Sequence, residues 1–122
     1  MDLNAYESAQ NLKAICHAAS VNAGWWDDTR KSNPFAFSNA LCLIHSEISE
    51  AMEGDRKNSK DDHLPHRPAT EVELADAVIR IFDLAGAFNL DIAGALVEKL
   101  AYNKTRADHK LEIRKGSNGK RY

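Results

Sequence analysis

Two pairs of acidic residues hold the most chemistry in this sequence: Glu47 with Glu50, and Glu73 with Asp76. Residues three apart on a helix project from one side, close enough to share a ligand. Four carboxylates with no Cys or His among them are hard oxygen donors, suited to Mg²⁺, with Mn²⁺ as the alternative, and not to Zn²⁺. The plainer alternative is that each pair lies on a solvated helix face. On that view Glu73 is simply the carboxylate of a capping box, Thr70-Glu71-Val72-Glu73, whose hydroxyl and carboxylate satisfy two backbone donors. Lys99, Asn103 and Arg106 recur at i, i+4 and i+7, with Tyr102 beside them. Cations there either complement the negative end of a helix dipole or grip a polyphosphate.

Helices must position all of these groups. Apolar residues recur at helical spacing from about Asn4 to Val21, and Gly24 is a plausible stop. A polar connector opening with Trp25 and Trp26 leads to Asn33-Pro34, where Asn33 caps a second helix running to about Asp55. Phe37, Leu41, Ile44, Ile48, Ala51 and Met52 form its apolar face, and Glu47 lies about 60–100° from the centre of that face. A flexible surface loop is expected from Gly54 to Pro68, carrying His63 and His66 as solvated residues. A third helix, from Thr70 to about Ala87, is apolar around nearly its whole circumference. The exceptions are Glu73, Asp76, Arg80 and Asp83, which form one narrow stripe. A helix of this kind is central, buried by its neighbours or by a partner subunit, so self-association as a homodimer or homotetramer is expected. Asp91 caps a fourth helix ending near Ala107. The expected organisation is therefore an all-α domain over residues 1–108, a four-helix bundle that self-associates through its central helices, followed by a basic, mobile tail over 109–122.

Composition narrows the classes. The chain has 122 residues, enough for one domain, with 16 Lys and Arg against 18 Asp and Glu for a net charge of −2. That balance carries no overall footprint for nucleic acid. No apolar run approaches the ~20 residues that span a bilayer, and the N-terminus has no signal-peptide core. A cytoplasmic protein without nucleic-acid or membrane partners is expected, with Cys16 and Cys42 as reduced, buried thiols.

Glu47-Ile-Ser-Glu50, a gap of 22 residues, and Glu73-Leu-Ala-Asp76 together resemble the E-x-x-E…E-x-x-D signature of the MazG-like superfamily, the all-α nucleoside triphosphate pyrophosphohydrolases. Gly24-Trp25-Trp26 and Lys99-Leu-Ala-Tyr-Asn103-Lys-Thr-Arg106 are similar to two further segments of that family, in the same order. The resemblance implies that Glu47, Glu50, Glu73 and Asp76 are catalytic Mg²⁺ ligands. It implies that Lys99, Asn103 and Arg106, with Tyr102 nearby, contact phosphates or sugar. Trp25 or Trp26 would stack on the base or serve in the core. The implied reaction converts a (d)NTP and water to a (d)NMP and pyrophosphate, with one of the four acids or Glu53 as general base. Phosphoribosyl-ATP or another nucleotide derivative is the alternative substrate, and a non-catalytic helical interaction module is the alternative from another class.

Overall fold

The computed structural model describes residues 2–106 and 111–120, and among these it is all-helical. Four long helices, α1 (Leu3–Asn22), α3 (Ala36–Lys57), α4 (Ala69–Ala87) and α5 (Ile92–Thr105), are accompanied by two short ones, α2 (Asp28–Ser32) and α6 (Leu111–Arg114). The chain forms two compact units, Asn11–Leu90 and the pairing of Met1–Gln10 with Asp91–Tyr122. Ala9, Ala93 and Val97 are the buried apolar residues of the latter. Residues 107 and 108 at the expected domain end, and 109, 110, 121 and 122 of the expected tail, lie outside the described residues. Within 111–120 the chain makes the turn of helix α6, all of it exposed.

Local chemistry sets the ends of the helices. Gly24, at φ +85°, closes α1, with its own N–H on the Val21 carbonyl and the Trp25 N–H on that of Ser20. This is the left-handed stop expected there, and it turns the chain so that Trp25 and Trp26 follow at once. The connector is not wholly irregular: Asp27 accepts from the Arg30 N–H at 2.8 Å and starts α2. Asn33 does act ahead of α3, but its Oδ1 accepts from the Phe35 N–H, so the helix proper begins at Ala36. Asp91 caps α5 through the Gly94 N–H.

Two expectations at the α3–α4 connection are corrected. The segment read as a flexible loop from Gly54 is helical to Lys57, and Asn58 ends it in the left-handed region at φ 49°. The remaining residues are held by backbone bonds from Asp61 to Arg67 and from Ala69 to Ser59. Asp61 also accepts from the N–H groups of His63 and Leu64; His63 and His66 are exposed, as expected. Thr70 is not a capping residue. Helix α4 begins one residue earlier, after Pro68, and the Thr70 hydroxyl points to the Ala51 carbonyl, 3.4 Å away on α3. Glu73 is thereby released from the capping role.

The inward face of α3 is also not the one that hydrophobicity selects. Ala36, Ala40, Glu47, Ala51 and Gly54 are buried, whereas Ile48 and Met52 are 48% and 65% exposed. The buried face lies roughly 80° round the helix from the expected centre at Ile44 and Ile48. Small residues explain this: α3 meets α4 along a seam of Ala and Gly, and a Cβ on Gly54 would stand 2.9 Å from the Ala69 Cβ. Helix α4 is correspondingly buried on one side only, through Ala77, Leu84 and Ala85, while Leu74, Val78 and Ile81 are exposed in the single chain. Cys16 is buried but Cys42 is exposed, so the expectation of two buried thiols holds for the first alone. Gly54→Leu should force the seam apart and destabilise the protein by about 1–3 kcal/mol. Urea unfolding measures this, and an unchanged midpoint would show that the seam is not tight.

Candidate functional site

The seam brings three of the four acids together. Oxygen atoms of Glu47, Glu73 and Asp76 all lie within 4.8 Å of one another. Glu47 is buried and the other two are half-buried. Glu50, one turn along α3 from Glu47, is exposed and stands outside this triad, but it hydrogen-bonds with Glu73, as Glu47 does. Glu53 faces outward and is engaged by Arg56 and Lys57, each at 3.1 Å.

Crowded carboxylates resist ionisation. Burial, then hydrogen bonding to Glu47 and Glu50, and then their negative charges push the Glu73 carboxyl up to about 8. Asp76 is also raised, mainly by burial and then by the charge of Glu47, with the Arg80 guanidinium opposing. At an effective dielectric of ~20, two like charges about 5 Å apart cost on the order of 3 kcal/mol before screening, so one shared proton relieves much of the strain. A divalent cation relieves it in the same way. The donor set fits such an ion, because among the described residues carboxylate oxygens alone converge there.

Two of the three acids, Glu47 and Asp76, line a cavity of about 760 Å³. Helix α1 contributes Cys16 and Ala19, the connector Trp25, Trp26, Arg30 and Asn33, α3 Asn39 and Glu47, and α4 Asp76, Arg80 and Asp83. At its far end Asp83 is buried and organises the wall. Its carboxylate accepts from the Trp26 indole N–H at 2.9 and 3.1 Å and lies 2.9 Å from Nδ1 of His17 on α1. Trp26 is buried, with Phe88 against its edge and the Arg30 guanidinium 3.7 Å above its ring. Of the two tryptophans, Trp26 is thus the core residue, and Trp25, 66% exposed, keeps a ring available to the cavity. Burial pushes the Cys16 thiol up, and Asp83 adds to the effect, so no reactive thiolate lines this wall.

Sequence reasoning placed Arg80 and Asp83 in the polar stripe of α4 but gave them no partners. Their spacing from Asp76, i+4 and i+7, is the signal that sets all three along one wall. Arg80 donates through Nε to Glu47 at 2.9 Å. Lys99, Tyr102, Asn103 and Arg106 belong to the other unit, where Lys99 Nζ sits 4.8 Å from the centre of the Tyr102 ring. Asn103 there has a buried Oδ1 with no hydrogen-bond partner among the described residues, and Arg106 ends α5.

The chain matches no family model, no curated protein and no solved structure. The site is therefore read from its own geometry.

That geometry fixes a pH dependence. Glu73 loses its proton near its usual 4.5 in the unfolded chain and only near 8 in the folded one. Between those values the folded, metal-free protein holds more protons than the unfolded chain, so its stability falls as pH rises through the window. Asp76, also raised, acts in the same direction. Thermal melts in chelator should show this decline from about pH 4.5 to about 8, and Glu73→Gln should flatten it. An equally steep decline in the variant would assign the effect to other groups.

Proposed function

We propose that this protein is a divalent-metal-dependent nucleotide pyrophosphohydrolase, acting on a nucleoside triphosphate to give the monophosphate and pyrophosphate. The observation that carries this proposal is the convergence of Glu47, Glu73 and Asp76, two of which, Glu47 and Asp76, line a cavity large enough for a nucleotide and walled by Trp25, Asn33, Asn39 and Asp83. The resemblance of the acid pairs to the MazG-like signature points to the same chemistry. It rests on the unit Asn11–Leu90 alone, without Lys99, Asn103 or Arg106.

In this mechanism Glu47, Glu73 and Asp76 would hold Mg²⁺, with Glu50 completing the acidic set beside Glu73. Bound there, the ion supplies charge neutralisation for phosphate oxygens and a polarised water. A cation held there would favour the ionised form of Glu73, whose proton would pass to solvent. Glu50, exposed and one turn along α3 from Glu47 but outside the triad, is the carboxylate that would accept a proton from an attacking water. The apolar part of the cavity and the exposed ring of Trp25 take the base, while Trp26 and Asp83 hold the wall rigid.

Self-association belongs to the same proposal. Leu41, Ile48 and Met52 on α3, with Leu74, Val78 and Ile81 on α4, leave the two helices that carry the acids with apolar surface in the single chain. A homodimer or homotetramer formed through these helices covers it.

A panel of nucleotides incubated with Mg²⁺ and scored for pyrophosphate release tests the activity. Loss of an outer-shell partner of a metal ligand costs about 10–100-fold, so Asp76→Asn should reduce turnover by at least ~100-fold while helical circular dichroism is retained. Turnover equal to the parent's would remove Asp76 from the metal site. Sedimentation equilibrium should show a dimer or larger species at micromolar concentration; a stable monomer there would refute self-association.

A further inference from the structure

Arg80 stands between two things that the cavity wall otherwise keeps apart. On α4, Asp76, Arg80 and Asp83 follow at i, i+4 and i+7, within about 60° of one another round the helix. At 1.5 Å per residue they mark the wall at 0, about 6 and about 10 Å. The acids are at one end, and the Asp83–Trp26 pair with its stacked Arg30 is at the other.

Among the described residues, two cations, Arg30 and Arg80, line this cavity. Arg30 is committed: its guanidinium lies on the Trp26 ring and donates to the Trp25 carbonyl at 3.3 Å. The Arg80 side chain is 41% exposed and its bond to Glu47 uses Nε. A guanidinium bound through Nε still has two terminal amino groups, with the fork geometry that matches phosphate oxygens. The acids are gathered with Arg80 bonded to one oxygen of Glu47, and a carboxylate has a second oxygen with which to hold a cation.

We infer that Arg80 is an anion-binding residue of the site: its terminal amino groups contact the phosphate attached directly to the nucleoside, while Nε fixes Glu47. This rests on the nucleotide reading proposed above. It deepens that reading by placing the phosphate next to the sugar at the middle of the wall, with the nucleoside toward Trp25 and Asp83. In a triphosphate this is the phosphorus that water attacks, so Arg80 also meets the charge that develops on its oxygens.

Calorimetric titration with the four deoxynucleosides and their four 5′-monophosphates, in Mg²⁺, tests this on the full chain. A charge-assisted hydrogen bond to phosphate corresponds to roughly 10-fold or more in affinity. The parent should bind at least one monophosphate tighter than its nucleoside by that factor. Arg80→Gln should erase the difference yet bind the nucleoside within about twofold of the parent, and Arg80→Lys should retain part of it. An undiminished difference in Arg80→Gln would overturn the inference and leave the nucleotide reading intact. Equal loss of nucleoside and monophosphate would show a structural role only, and also overturn it. Failure of the parent to bind any of the eight compounds would overturn the inference together with the function proposed above.

Discussion

Carboxylates do not gather unless something forces their backbones together, and here the force is the close packing of α3 on α4. Ala51, Gly54, Ala69 and Ala77 leave so little between the helices that Glu47, Glu73 and Asp76 arrive within 4.8 Å of one another. The cost of that arrangement is met locally by a retained proton on Glu73 and by the bond from Arg80 to Glu47. Both act on the same cluster, the proton by removing one negative charge and the guanidinium by opposing another. Functional sites commonly hold such strain, with the surrounding packing fixing it in place.

The cavity beside the cluster depends on the same seam in a different way. Because α4 presents Asp76, Arg80 and Asp83 along one line, whatever orients the helix orients all three. Asp83 anchors that line to α1 and the connector, by accepting from Trp26 and lying against His17. A buried carboxylate is costly without partners, and this one has both oxygens engaged. The wall and two of the three clustered acids, Glu73 and Asp76, are therefore carried by the same helix, α4.

Much of this was legible in the sequence, but unevenly. The all-helical class, the Gly24 stop, the Asp91 cap and the i, i+3 acid pairs follow from spacing and from capping chemistry. The facing of α3 does not. Periodicity identifies residues that share a side, and the large apolar residues Ile48 and Met52 do share one, but the helix packs through alanine and glycine. A hydrophobic scale weights size, whereas a tight seam requires its absence. Thr70 misled for a related reason: a capping box is a statement about backbone donors, and Pro68 had already begun the helix. With the hydroxyl turned to Ala51, the carboxylate of Glu73 was left for the acid cluster.

The least legible feature was which members of the α4 stripe oppose one another across the seam. In sequence, Arg80 is one cation among the three acids of a narrow stripe on an otherwise apolar helix. Helical spacing says that it lies near Asp76, four residues away, yet its hydrogen bond goes to Glu47 on the other helix, 33 residues distant. Long-range pairing of this kind is decided by the register of α3 against α4, which Gly54 against Ala69 sets at one end of the seam. Moving α3 by one residue would rotate Glu47 by about 100° and separate it from both Arg80 and the acids. The spacing of small residues along the seam is thus as much a part of the site as the carboxylates themselves.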